Sequence, residues 1–166
     1  MSKRLETFNA LTEEAALVQL LRVCTSTVWA RAVLDQRPFK DQAALLAASE
    51  AAWQLTDEAD WLEAFEGHPK IGDAQALQGG AETTAMQEQG QVSRALASTR
   101  EALARLNQIY LDRFGFIFII CASGRSAEAM RAVLELSLER SRGDELRRAA
   151  GEQLQIMTRR LRAWFE

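Results

Sequence analysis

The sequence is poor in the residue types that interrupt helices or crosslink a chain. Its 166 residues include only two prolines, Pro38 and Pro69, and only two cysteines, Cys24 and Cys121. The cysteines lie far apart in apolar surroundings, which predicts two reduced, buried thiols rather than a disulfide or a metal clip. A reducing, cytoplasmic location is the expectation that follows.

Neither charge nor hydrophobicity is concentrated in one part of the chain. The formal net charge is −3, with acidic and basic residues interleaved, so no single-sign field exists to gather nucleic acid. The longest apolar run, residues 116–122, is far too short to cross a bilayer, and the polar start lacks the apolar core of a signal peptide. We therefore expect no nucleic-acid partner and no membrane partner.

What the sequence has in abundance is Ala, Leu, Glu, Gln and Arg, which favour helices. Apolar side chains recur at helical spacing along two long stretches, one containing Tyr110 and the other Trp164. An apolar content of 48% is enough for one buried core. We predict an all-α fold, a single-domain helical bundle spanning residues 1–166.

Shorter stretches fit the same helical period, and polar residues that can cap a helix precede three of them. Thr12, Ser26 and Thr56 are the predicted N-caps. The predicted helices cover residues 13–23, 26–34, 42–54 and 57–65.

Toward the C-terminus, Ser126 is predicted to cap a helix that runs to about residue 140. Gly143 is predicted to separate it from the last helix, because glycine adopts helix-ending conformations easily. Arginines and acids alternate in this region, among them Glu145 and Arg148, and are predicted to form a solvated helix face.

Two stretches lack the sequence pattern of a helix. Residues 67–90 hold five glycines and a proline, and so long a loop in a compact domain is functional or disordered. We predict the functional site there. Residues 114–121 are β-branched and aromatic enough for a strand, but no second strand is available for pairing, so we predict an extended or tightly wound buried segment.

The only histidine, His68, lies in the loop between Gly67 and Pro69. The proline restricts the histidine backbone to extended conformations. From the residues alone, His68 is either a surface or capping residue or a proton carrier. With no second histidine, Asp73 and Glu88 would offer only an oxygen-rich metal site, and we expect no metal.

Three further residues are candidates for binding. Glu88 and Gln89 lie at the predicted start of a helix, where they form either an ordinary acidic first turn or part of a ligand site. Arg160 lies in the last helix close to its apolar stripe, so its guanidinium requires a partner.

Taken together, these elements resemble the 2-oxo-4-hydroxy-4-carboxy-5-ureidoimidazoline (OHCU) decarboxylases, which complete the conversion of urate to allantoin. Residues 67–72 are similar to the HPxIG signature of that family, and residues 88–90 to its EQxG-like element. The resemblance continues through residues 37–39, 114–121 and 156–161, and so covers nearly the whole chain.

The resemblance implies a cofactor-independent decarboxylase that forms a homodimer and acts on a small ureidoimidazoline. His68 and Glu88 would be catalytic, and the implied substrate-binding residues are Pro69, Thr84, Gln89, Phe118, Ile119, Ile120 and Arg160. The family usually has a serine where this chain has Ala85, so Thr84 would have to supply the hydroxyl. It often has a proline where this chain has Ile117.

Two other functions fit the composition. The first is a helical protein-interaction module, with the arginine-rich last helix as its binding face. The second is a ureide or cyclic-amide hydrolase that uses the same acid and base. Convergence of His68, Glu88 and Arg160 would favour the decarboxylase over the interaction module, and release of carbon dioxide would distinguish it from the hydrolase.

Overall fold

The computed structural model describes residues 3–68 and 88–165, with the side chains of 88–97 and 165 excepted. Within these ranges the secondary structure is helical without strands, which confirms the predicted all-α class. The helices are α1 Lys3–Ala10, α2 Glu13–Val23, α3 Thr27–Leu34, α4 Gln42–Gln54, α5 Glu58–Glu66, α6 Glu88–Phe114, α7 Ala127–Ser137 and α8 Arg142–Phe165. None of the helices described is both long and apolar enough to span a membrane.

The chain forms two compact units. Unit 1 comprises Met1–Gly67 and Ala150–Glu166, and unit 2 comprises His68–Ala149. The prediction of a single domain over residues 1–166 stays a prediction.

The helix starts of unit 1 follow the capping residues in two cases of three. The side chains of Thr12 and Ser26 accept the N–H groups of Ala15 and Trp29, as predicted. The prediction of Thr56 as the cap of α5 is wrong. Asp57 caps that helix in a capping box with Asp60, because a carboxylate one residue later satisfies the free N–H groups better than a threonine hydroxyl does.

The core of unit 1 is built around two tryptophans whose indole N–H groups are satisfied. Trp29 is fully buried and donates to the Ser49 carbonyl, and Trp53 donates to the Ala150 carbonyl, each at 3.1 Å. Burying each large apolar side chain contributes about 1.5–3 kcal/mol. Helix α1, which the sequence analysis did not predict, adds Leu5 and Phe8 to this core.

In unit 2, the segment between α6 and α7 is not helical in the part that the structure describes. Gly115 has a φ of +80°, a conformation that glycine adopts without strain, and it ends α6. The rings of Phe114, Phe116 and Phe118 all lie within 5.5 Å of the Tyr110 ring, centroid to centroid. The prediction of a buried, non-helical segment is confirmed after Phe114, which itself belongs to α6, while the choice between an extended and a tightly wound backbone stays open.

The junction between α7 and α8 differs from the prediction. Ser126 caps α7 as predicted, but the helix ends at Ser137 rather than near residue 140. Gly143 does not separate the helices and lies in the first turn of α8. Ser141 Oγ accepts the Asp144 N–H at 3.1 Å, and this capping bond offsets the small cost of a glycine in the first turn.

Candidate active site

The C-terminal end of α5, which carries the chain into His68, is held by two threonines. Thr25 Oγ1 donates to the carbonyl oxygens of Glu63 and Ala64 at 2.8 and 3.3 Å. The Glu63 carboxylate accepts the N–H of Thr27 at 3.0 Å and its hydroxyl at 2.6 Å. The end of α5 is therefore fixed against the turn between α2 and α3.

Gly67 ends α5 at a position that has no room for a side chain. A Cβ atom there would lie 2.5 Å from Thr25 Oγ1 and 2.6 Å from Thr25 Cγ2. Glycine is therefore required by the close approach of Thr25, since its φ of −72° is open to any residue. His68 follows directly and is half-buried.

Replacement of Gly67 tests whether this contact fixes the end of α5. Gly67→Ala is expected to lower the free energy of unfolding by about 1–3 kcal/mol, because Thr25 has to move. Gly151→Ala in α8 is the control: its Cβ would have no neighbour within 4 Å, so a gain of up to about 1 kcal/mol is expected. Urea unfolding measures both variants, and equal stability of the two would contradict the role of Gly67.

The carboxylate and carboxamide residues predicted at a helix start lie there. Glu88 and Gln89 are the first two residues of α6, and their side chains lie outside the described atoms. Gly90, assigned to the loop from sequence, also belongs to α6. Pro69 and Thr84 fall outside the described residues, so the predicted roles of all four site residues stay predictions.

The backbone of the segment that contains Phe118, Ile119 and Ile120 is held by an arginine. Nη1 and Nη2 of Arg148 both donate to the Ile119 carbonyl at 3.0 Å, and the guanidinium lies 4.8 Å from the Phe118 ring centroid. The three segment residues are buried. Their predicted contact with substrate stays a prediction.

Arg148 is in turn held by a buried polar cluster that the sequence analysis missed. Its Nε donates to Glu145 Oε1, which also accepts the Tyr110 hydroxyl at 2.9 Å. The Glu145 side chain has no exposed area and that of Arg148 is 12% exposed. The predicted solvated face is therefore wrong for both residues. Glu145 lies one and two helical turns before Ala149 and Gln153, both fully buried, but this burial is visible only in the tertiary structure.

Burial also changes the titration of two groups near the predicted site. It raises the pKa of the Tyr110 hydroxyl, and the neighbouring Glu145 carboxylate raises it further. In unit 1, burial raises the pKa of the Cys24 thiol to about 11. Both groups therefore stay protonated and neutral at physiological pH. Cys24 and Cys121 form no disulfide and are both buried, as predicted.

Arg160 has a hydrogen-bond partner, as its position near the apolar stripe of the last helix predicted. Its Nη1 donates to the Val23 carbonyl at 2.6 Å, and partial burial lowers the pKa of the guanidinium. Together with Arg22 and Trp164 it lines a cavity of about 400 Å³ in unit 1. His68 and Glu88 belong to unit 2, and the predicted convergence of the three residues stays a prediction.

No metal-binding group is found in the part of the chain that the structure describes. Residues 3–68 and 88–165 contain no group of three or more His, Cys, Asp or Glu side chains that could hold a metal ion.

Comparison with known proteins assigns the family. The sequence model of the OHCU decarboxylase family matches residues 9–162. The chain is 34% identical over 145 residues to the uric acid degradation bifunctional protein TTL of Arabidopsis thaliana, covering 86% of this chain and 45% of that protein. It is 25% identical over 162 residues to the OHCU decarboxylase of Haloferax volcanii, covering 97% of this chain and 95% of that protein.

Similarity to a solved structure supports the same family. An OHCU decarboxylase crystallised in the presence of (S)-allantoin superimposes with a TM-score of 0.74 at 31% identity, covering 89% of this chain and 96% of that one. The fold and the sequence thus assign the chain to a class of all-α decarboxylases. The chain belongs to the OHCU decarboxylase family, which confirms the resemblance found in the sequence.

Proposed function

We propose that this protein decarboxylates OHCU to (S)-allantoin and carbon dioxide, a step of urate degradation, without a cofactor. The observation that supports this most strongly is its similarity, over most of both chains, to an OHCU decarboxylase crystallised in the presence of (S)-allantoin. The substrate is a small molecule, so a pocket of modest size suffices.

The ring of the substrate can itself accept the electron pair that decarboxylation leaves behind, so no cofactor is needed to accept it. When the bond between the ring carbon and the carboxylate breaks, its electron pair forms a double bond to the neighbouring ring carbon. The π electron pair of the ring C=N bond moves onto the ring nitrogen, and carbon dioxide leaves. The hydroxyl proton is then lost to give the ring carbonyl, while the neighbouring carbon and the nitrogen each gain a proton. One proton is taken up overall.

His68 and Glu88 are proposed to manage these protons. Glu88, together with His68, would orient the substrate hydroxyl and the adjacent carboxylate. His68 would carry protons between the hydroxyl and one face of the ring. The fixed end of α5 supports this role, because a proton carrier has to be held at a defined distance from the reacting carbon.

Arg160 is proposed to bind the ureido or ring carbonyl side of the substrate. A guanidinium on the departing carboxylate would stabilise the ground state more than the transition state, in which that charge has moved into the ring. Arg160 has five N–H donors, and the bond from Nη1 to the Val23 carbonyl orients the group. Gln89 would contact the ureido group, and the remaining contacts would come from Pro69, Thr84 and the backbone of Phe118, Ile119 and Ile120.

Product analysis of the wild-type protein tests the proposal. Incubation with OHCU is expected to release one carbon dioxide per molecule consumed and to yield (S)-allantoin faster than the uncatalysed reaction. A ureide hydrolase would consume a ureide without releasing carbon dioxide. An interaction module would leave the uncatalysed rate unchanged, and either result would refute the decarboxylase.

We also propose a cytoplasmic homodimer. The two buried cysteines, which form no disulfide, support a reducing compartment. The homodimer is the assembly that the resemblance to the OHCU decarboxylases implies. Light scattering after size-exclusion chromatography measures the mass, and a monomer at micromolar concentration would refute the dimer.

A further inference from the structure

We propose that Arg148 is a positioning residue that aims the backbone of the substrate-binding segment at the substrate. The inference rests on the proposed function, in which the backbone of Phe118, Ile119 and Ile120 contacts OHCU. Arg148 itself is not proposed to touch the substrate.

The contacts of Arg148 fix one peptide group. Both terminal nitrogens of its guanidinium donate to the Ile119 carbonyl at 3.0 Å, and the plane of the guanidinium leaves little freedom to that oxygen. The guanidinium also lies 4.8 Å from the Phe118 ring centroid. The direction of the Ile119 carbonyl is therefore set by Arg148.

Fixing this carbonyl also fixes the next N–H group. The peptide bond between Ile119 and Ile120 is trans, and a planar trans peptide holds its C=O and N–H on opposite sides. The Ile120 N–H therefore points away from Arg148. In this way the arginine presents a backbone donor to the opposite side of the segment, as binding of a ureido or carbonyl oxygen requires.

Glu145 and Tyr110 hold the arginine in this orientation. Glu145 Oε1 accepts from Arg148 Nε and from the Tyr110 hydroxyl, so the guanidinium is held through Nε as well as through the two terminal nitrogens that contact Ile119. Because the cluster is almost entirely buried, competition from water is weak.

The chain offers a matched control in Arg142. Its Nε donates to the Phe114 carbonyl at 3.0 Å, and its guanidinium lies 5.9 Å from the Phe116 ring centroid. Arg142 thus combines the same two kinds of contact earlier in the chain, with the carbonyl five residues before Ile119 and the ring two residues before Phe118, outside the predicted substrate contacts. Arg142 is exposed whereas the Arg148 side chain is only 12% exposed, so KM rather than stability distinguishes the positioning role of Arg148 from a structural one.

The experiment compares Arg148→Lys with Arg142→Lys, since lysine keeps the charge but loses the planar fork. We expect Arg148→Lys to raise KM for OHCU about tenfold with kcat within about twofold, the pattern of a lost binding contact. Binding of (S)-allantoin, measured by calorimetry, should weaken by a similar factor. Arg142→Lys should keep KM within about twofold of wild type. Urea unfolding should show the larger loss of stability in Arg148→Lys, because its cluster is buried, and KM is compared under conditions in which both variants are folded.

Equal KM values for the two variants would overturn the inference while leaving the proposed function intact. Absence of carbon dioxide release by the wild-type protein would instead refute the proposed function. If Arg148→Lys does not fold, Tyr110→Phe replaces it, because only the hydroxyl that orients Glu145 is removed. A KM raised about threefold in Tyr110→Phe would then support the inference, and an unchanged KM would overturn it.

Discussion

His68→Ala is expected to lower the turnover of OHCU by about 100- to 10,000-fold, the usual contribution of a general acid or base. The loss should be confined to catalysis, because His68 follows the end of α5 and is only half-buried. The helices should therefore remain folded. Stopped-flow measurement of (S)-allantoin formation gives the rate, and circular dichroism gives the helix content.

The control for His68→Ala uses the chain's single histidine. Because no other imidazole exists in the protein, any recovery of rate on adding free imidazole has to come from the vacated position. Partial rescue in His68→Ala, with no effect of imidazole on the wild-type protein, would support proton transfer by His68. Wild-type turnover in His68→Ala would exclude a catalytic role.

Glu145→Ala is expected to have the largest effect on stability, about 3–5 kcal/mol, because it leaves the buried Arg148 guanidinium without its carboxylate. It also removes the acceptor of the Tyr110 hydroxyl. Since a domain of this kind is stable by only about 5–15 kcal/mol, much of the total would be lost. Urea unfolding measures the change in the free energy of unfolding, with the dependence of that free energy on urea concentration expected to stay the same.

Glu135→Ala is the matched control for Glu145→Ala. Glu135 also pairs with an arginine of its own helix, Arg131, but both side chains are nearly half exposed, at 47% and 46%. An exposed pair of this kind contributes about 0.3–0.5 kcal/mol. Equal losses in the two glutamate variants would mean that burial of the Arg148 pair is unimportant for stability.

Much of the fold could be predicted because local signals agreed with one another. Helices α2 and α4 begin and end at the predicted residues. Thr12 caps α2 as predicted, whereas the cap of α4, Asp41, was not predicted. Helix α1 was missed because its eight residues bury only Leu5 and Phe8, too few to establish a period. Thr56 and Gly143 were misassigned because neighbouring polar residues provided better caps.

The site was predictable where it depends on motifs along the chain and not where it depends on burial. The end of α5 just before His68, the start of α6 at Glu88 and the need of Arg160 for a partner follow from local sequence. The Thr25 contacts that fix α5 and the partner itself, the Val23 carbonyl, are tertiary and were not predicted. The cluster of Tyr110, Glu145 and Arg148 could not be predicted, because Glu and Arg three residues apart on a charged helix are typical of a solvated face. Only the tertiary structure shows that this pair is buried.

The division into two units gives each of them its own natural spectroscopic probe. All four tryptophans, at positions 29, 53, 61 and 164, belong to unit 1, whereas the single tyrosine, Tyr110, belongs to unit 2. Indole fluorescence and phenol absorbance therefore follow different parts of the same molecule. Comparing the two signals during denaturation separates loss of structure around Arg160 from loss of structure around Arg148, without any added label.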